Sequence, residues 1–139
     1  MNKKVAGIAY INDGKLLVCM SQRSSKEGKY TLIGGGVEEG ETSEQAVIRE
    51  SREETGFELK PGEFYKAHSF TEQAASDPTL TIDMEVFIYK NQFTYPLKTC
   101  EEILKFKWYD ISEDSSHLSS SMTKHLLPWA IENGLLYTK

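Results

Sequence analysis

Positive charge is in short supply in this chain. Lys and Arg total 16 against 21 Asp and Glu, a formal net charge of −5, so no global field gathers nucleic-acid phosphates or anionic lipid, and bulk coating of nucleic acid is excluded. Cysteine is scarcer still. Cys19 and Cys100 form no CxxC or metal-finger spacing, which rules out a disulfide framework and leaves both to be read as small packed side chains in a reducing setting. No apolar run approaches the ~20 residues that cross a bilayer. The basic start is interrupted at Asn12, Asp13, Gly14 and Lys15, too early for a signal-peptide core, so a cytoplasmic, membrane-free protein is expected. His68, His117 and His125 share no ligand spacing and read as surface or satisfied histidines. Repeats, linkers and low-complexity segments are missing too, and 139 residues suit one domain, 1–139.

What the chain does have is acid in one place. Residues 35–57 hold seven acids (Glu38, Glu39, Glu41, Glu44, Glu50, Glu53, Glu54) and two bases (Arg49, Arg52), so this stretch carries −5 and the rest is neutral. Such a patch is either a solvated helix face or a cation site, and composition alone leaves both open.

Residues 5–11 and 15–20 are β-rich runs around Asn12-Asp13-Gly14 and predict a hairpin. Residues 23–29 read as a loop and 30–33 as a short strand running into Gly34-Gly35-Gly36. Thr42 or Ser43 can cap a helix that carries Glu44 and Gln45 in its first turn and stops at Gly56. Further strands are expected over 63–70, 80–89 and 104–109, a loop over 73–78, and a second helix over 119–133 in which Pro128 is an irregularity. Separated helices and mostly sequential strands predict an α+β fold, an α/β/α sandwich around a mixed β-sheet.

The glycine-rich stretch Gly35 to Thr42, GGVEEGET, overlaps the phosphate-loop template GxxxxGK[ST] but places Glu41 at the lysine position. A carboxylate there reverses the sign of the interaction with phosphate, so a direct phosphate cradle is excluded. GxGxxG does not fit either. On the following helix, at ~100° per residue, Glu54 lies about 40° to one side of Glu50 and Glu53 about 60° to the other, with Val47, Ser51 and Thr55 on the neighbouring core face. Three carboxylates so close repel unless a cation or an arginine offsets them. Arg49 borders the arc, placed to brace Glu53 or Glu41. Oxygen donors with room for water suit Mg²⁺ or Mn²⁺.

Gly35, five residues, Glu41, seven residues, then Arg49-Glu50-Ser51-Arg52-Glu53-Glu54-Thr55-Gly56-Phe57 resembles the Nudix box, GX5EX7REUXEEXGU with U apolar, at eight of nine specified positions. Ser51 replaces the first apolar residue, and Ile33 stands where the family's aromatic-x-Leu-Pro-Gly lead has proline. The resemblance implies a Nudix-type fold and a hydrolase that cleaves a diphosphate linkage in a nucleoside diphosphate derivative with Mg²⁺ or Mn²⁺. It implies Glu50 and Glu54 as principal metal ligands and Glu53 as a further ligand or water-activating group. The Gly34 carbonyl is implied as an added ligand, Arg49 as an orienting residue, and Glu41 as acting from the site's edge. Some members take their general base from outside the box, which makes Glu101 and Glu102 candidates. Many relatives are dimers, so a homodimer is admitted.

Arg23 stands where family members often place a phosphate-contacting arginine; a surface loop charge is the other reading. Tyr30, Phe70, Trp108 and Tyr109 can stack on a base or belong to the core. The proline and the tyrosine that mark the ADP-ribose and dinucleoside-polyphosphate subfamilies are missing, their positions holding Glu72 and Ala74. A nucleoside triphosphate pyrophosphohydrolase remains by exclusion, with a weakly catalytic nucleotide-binding or sensor module as the alternative. Ser51 is expected to back-bond to the Val47 carbonyl, so that alanine there is neutral or stabilising.

Overall fold

A computed structural model describes residues 2–73 and 77–138. In chain order the elements are β1 (Asn2–Ala9), β2 (Ile11–Asn12), β3 (Lys15–Ser21), β4 (Thr31–Gly36), α1 (Ser43–Thr55), β5 (Phe64–Gln73), β6 (Thr81–Tyr89), β7 (Ile103–Tyr109) and α2 (Leu127–Glu132). Of the loop expected over 73–78, residues 74–76, Ala74 among them, lie outside the described residues.

The strands run β2-β3-β4-β1-β6-β5, with β7 on the other edge of β3. Among the described strands β1 and β6 pair in parallel and the other pairs are antiparallel, so the sheet is mixed. The expected hairpin is therefore corrected. Asp13 and Gly14 do make a turn with positive φ, but the pairing across it is short: Ile11–Asn12 pairs on Lys15 and Leu16, and the Tyr10 carbonyl accepts from the Leu17 N–H at 2.9 Å. β1 itself is inserted between β4 and β6.

Each face of the sheet buries a separate apolar cluster. Ala6, Ile8, Leu17 and Ile33 pack with Ala46 and Val47 of α1 on one face, and Ala9, Val18, Leu32 and Val86 pack with Met122 and Leu126 on the other. Helix, mixed sheet and helix stack in layers, the arrangement expected from the sequence. Burying both strand faces is what lets a chain of this size gather enough apolar area to fold.

Helix α1 begins and ends where its caps require. The Thr42 hydroxyl accepts from the Gln45 N–H (3.1 Å) while Gln45 Oε1 accepts from the Thr42 N–H (2.9 Å), a reciprocal box that satisfies two otherwise orphaned donors. Gly56 closes it by donating its N–H to the Arg52 carbonyl. The second helix accommodates Pro128 by widening one turn. Met122–Leu126 form a π turn whose following residue, Leu127, donates to the Met122 carbonyl five residues back. Pro128, without an N–H, then falls in the first turn of α2, where no donor is missed.

Cys19 is buried as expected, whereas Cys100 is exposed in the loop before β7, because only the former alternates inward on a strand. No helix among the described residues is long and apolar enough to cross a membrane.

Candidate active site

The site begins with two glycines in β4. Gly34 has φ of +153°, and a Cβ there would stand 2.3 Å from the Ala6 carbonyl oxygen and 2.6 Å from the Gly7 Cα. Only glycine lets β4 lie so close to β1. The Gly34 N–H is thereby aimed at α1 and donates to Glu54 Oε1 at 2.8 Å. At Gly35 a Cβ would meet Glu50 Oε1 at 2.6 Å. The bare backbone of these two residues is thus the seat of two carboxylates.

Arg49 organises the remaining acids. Its Nε and Nη2 donate to both oxygens of Glu41 (2.8 and 2.9 Å), its Nη1 to Glu50 Oε1 (2.8 Å) and Glu53 Oε2 (3.3 Å), and its Nη2 also to the Gly36 carbonyl (3.0 Å). Glu41 Oε1 additionally accepts from the Glu38 N–H at 3.0 Å. Hydrogen bonds from Arg49 hold the Glu41 carboxyl at about 2. Glu41 therefore braces Arg49, both of its oxygens engaged by the guanidinium.

Burial acts the other way on the inner acids. It pushes the Glu54 carboxyl up to about 8, against the pull of the Gly34 N–H and with the help of Glu50 and Glu102. Burial also raises Glu50, opposed by Arg49. Glu53 is the open member, with its side chain 48% exposed.

These groups line one end of a cleft of about 900 Å³. Gly34, Arg49, Glu50, Glu53, Glu54, Arg23 and Glu102 all line it, so residues from β4, α1 and the loops after β3 and before β7 converge there. Glu41 and Glu101 are not among its walls. Glu101 is exposed and offers only its backbone carbonyl to the Gln22 side chain (3.0 Å), so of the paired glutamates Glu102 alone faces the site. Phe70 lines the cleft, its ring stacked on His125 with centroids 4.4 Å apart. Tyr30, Trp108 and Tyr109 instead pack into the two cores. His68 stacks on Trp129 at 4.5 Å.

Sequence reading missed the floor of this cleft and one of its cations. Val5, Met84, Val86 and Lys3 reach it only because β1 lies between β4 and β6, and no local spacing carries that information.

Among the described residues no three acidic, cysteine or histidine side chains stand close enough together to hold a metal ion as they are. Arg49 draws Glu50 and Glu53 to itself. The donor chemistry nevertheless fits a hard cation. Every available donor is oxygen, and one arginine meets Glu41, Glu50 and Glu53 while Glu54 pairs, among the described residues, only with the Gly34 N–H, so the cluster keeps an uncompensated negative charge in a partly dry setting.

A Gly-rich strand feeding a capped acidic helix within an α/β/α sandwich defines the class. The NUDIX domain model matches residues 1–129, and the chain belongs to the Nudix family. It is 40% identical over 57 residues to the CTP pyrophosphohydrolase of Escherichia coli (strain K12), covering 40% of this chain and 42% of that protein. It is 29% identical over 112 residues to the oxidized purine nucleoside triphosphate hydrolase of Danio rerio, covering 81% and 69%. The chain spans only 19%, 42% and 36% of the first three curated relatives it matches. The MutT protein from Methanosarcina mazei Go1 superposes with a TM-score of 0.76 over 95% of both chains at 21% identity, a likeness of fold.

Proposed function

We propose that this protein is a divalent-cation-dependent hydrolase of diphosphate linkages in nucleoside diphosphate derivatives, with nucleoside triphosphates as its substrates. One observation carries the reading: Glu50 and Glu54 of α1 are seated on the side-chain-free backbone of Gly35 and Gly34, with Glu53 beside them on the same cleft. A merely solvated acidic face would turn away from the sheet, and burying Glu54 there would be unfavourable with nothing to offset it. The likeness to the CTP and oxidized purine triphosphate hydrolases favours triphosphates.

Glu50 and Glu54, joined by Glu53 and the Gly34 carbonyl, would hold Mg²⁺ or Mn²⁺. Bound there, such a cation would supply charge neutralisation of the diphosphate and polarisation of the bond to be broken. Glu53, the most open of the three carboxylates Glu50, Glu53 and Glu54, takes the proton of the attacking water as its oxygen bonds to phosphorus and the bridging P–O bond breaks. Glu102 faces the same space and is the second candidate for that proton. Arg49, fixed by Glu41, sets the direction of Glu50 and Glu53. Arg23 binds phosphate.

The test is pyrophosphate and phosphate release from a nucleotide panel, with and without Mg²⁺ or Mn²⁺, extended to nucleotide sugars, dinucleoside polyphosphates and capped RNA. Cation-dependent release from triphosphates is expected; release without any divalent cation, or none from the whole panel, overturns the reading. The grip of Arg49 on Glu50 and Glu53 is what favours the second reading, a nucleotide-binding module without turnover. Nucleotide binding in calorimetry with no product formed would establish it.

A further inference from the structure

Seven acids and three bases line the cleft, the bases being Lys3, Arg23 and Arg49. Arg49 is committed to Glu41, Glu50 and Glu53. Lys3 and Arg23 make no ion pair among the described residues. They stand at opposite ends of β4. Arg23 follows β3, whose Cys19 pairs with Thr31 where β4 begins; Lys3 lies two residues before Val5, which pairs with Gly36 where β4 ends.

The Lys3 side chain is laid across Gly36. A Cβ at 36 would be 3.4 Å from Lys3 Cε and 4.0 Å from its Nζ, and no other atom beyond the neighbouring residues comes within 4 Å. The Gly36 carbonyl is in turn held by Arg49. The ammonium thus lines the same cleft as the carboxylates at the end of β4 away from Arg23, in space that a side chain at 36 would fill.

A polyphosphate entering this cleft meets repulsion from every acid that a cation does not mask. An ammonium with three unpaired donors at its edge offsets that repulsion and offers charge-assisted hydrogen bonds to phosphate oxygens. We infer that Lys3 is a substrate-binding residue whose ammonium takes a phosphate oxygen of the nucleotide at the Gly36 end of the cleft, a role that rests on the nucleotide reading above. It sets affinity for the phosphate chain and does not take part in bond breaking.

The test is calorimetric binding of α,β-methylene nucleoside triphosphate analogues in Mg²⁺ at low ionic strength, beside the unphosphorylated nucleosides, together with steady-state kinetics on the best substrate. Lys3→Ala should weaken analogue binding roughly tenfold, the scale of one charge-assisted contact, with nucleoside binding unchanged. KM should rise with kcat held within about twofold, the pattern of uniform binding lost, and the loss should shrink in high salt. Lys3→Arg should retain affinity. Gly36 has no positive φ and its only close neighbour is Lys3, so adding Gly36→Lys to Lys3→Ala should restore most of the binding.

Analogue binding by Lys3→Ala within twofold of the parent overturns the inference, as does an equal loss for the nucleosides. A parent that hydrolyses nucleotides while Lys3→Ala is unaltered overturns this inference alone. A parent that neither binds nor hydrolyses any of them overturns the nucleotide reading with it.

Discussion

Ser51→Ala should destabilise the protein, contrary to what a helical wheel suggests. The Ser51 Oγ lies 2.6 Å from the Tyr10 hydroxyl, and both residues are fully buried. Ser51 also directs its hydroxyl at the Phe57 carbonyl (3.3 Å), so the Tyr10 O–H is the donor in their shared bond. The neighbouring Thr55 hydroxyl donates to the Ser51 carbonyl at 2.6 Å and accepts the Phe57 N–H at 3.0 Å. Burial pushes the Tyr10 phenol well above its ordinary range, so it stays neutral and needs an acceptor at every working pH. Alanine would remove that acceptor and leave a buried O–H unsatisfied, a cost of about 1–3 kcal/mol. The gain in helix propensity is at most roughly 0.5 kcal/mol. A net loss on the order of 1–2 kcal/mol follows.

Denaturant unfolding reads this as a lower midpoint at unchanged slope. Tyr10→Phe should cost less, because Ser51 keeps the Phe57 carbonyl and the Thr55 hydroxyl as partners. In the double variant both halves of the bond are gone, and its loss should be smaller than the sum of the two single losses. A Ser51→Ala protein as stable as the parent, or additive losses in the cycle, would refute the reasoning.

Three further outcomes follow from the acidic cluster. Millimolar Mg²⁺ or Mn²⁺ should raise the melting temperature by binding the folded state preferentially; a rise no larger than that given by monovalent salt of equal ionic strength would contradict the site. Glu54 has a raised pKa, so the folded protein binds the extra proton and, without divalent cation, its stability should fall as pH climbs from about 4.5 to about 8. The fall by pH 7 is on the order of 3 kcal/mol at most; Glu54→Gln should flatten that slope and abolish most turnover, and a variant that keeps the parent's slope and activity would count against both roles. Gly35→Ala forces only the end of a flexible side chain to move, since its Cβ would meet the Glu50 carboxylate at 2.6 Å. Melting should shift little while activity drops more than tenfold, on the scale of a displaced catalytic contact, whereas equal activity would show that Glu50 needs no fixed seat.

What was legible in the sequence was whatever is written within a few residues. Thr42 with Gln45, Gly56, and the glycine triplet fix both ends of α1 and its approach to the sheet through local hydrogen bonds and sterics. The period of 3.6 likewise placed Ser51 on the core side of the acidic arc. A period names a face and cannot name what lies against it. The partner of Ser51 is Tyr10, 41 residues away, and that pairing exists only because the chain leaves β1 at Ala9 and returns through β2 and β3. The parallel pairing of β1 with β6 is likewise invisible to spacing, for it joins strands separated by most of the chain. It brings Val5, Met84 and Lys3 to the cleft and breaks the expected hairpin. Glu101 and Glu102 show the same limit at the smallest scale. Adjacent residues entering a strand point to opposite sides, so only one can face the carboxylates of α1, and which one depends on the register of β7 against β3, where Ser21 opposes Ile103 after a one-residue shift. A local pattern can thus nominate both glutamates, but only long-range pairing, by turning Glu102 inward, can choose between them.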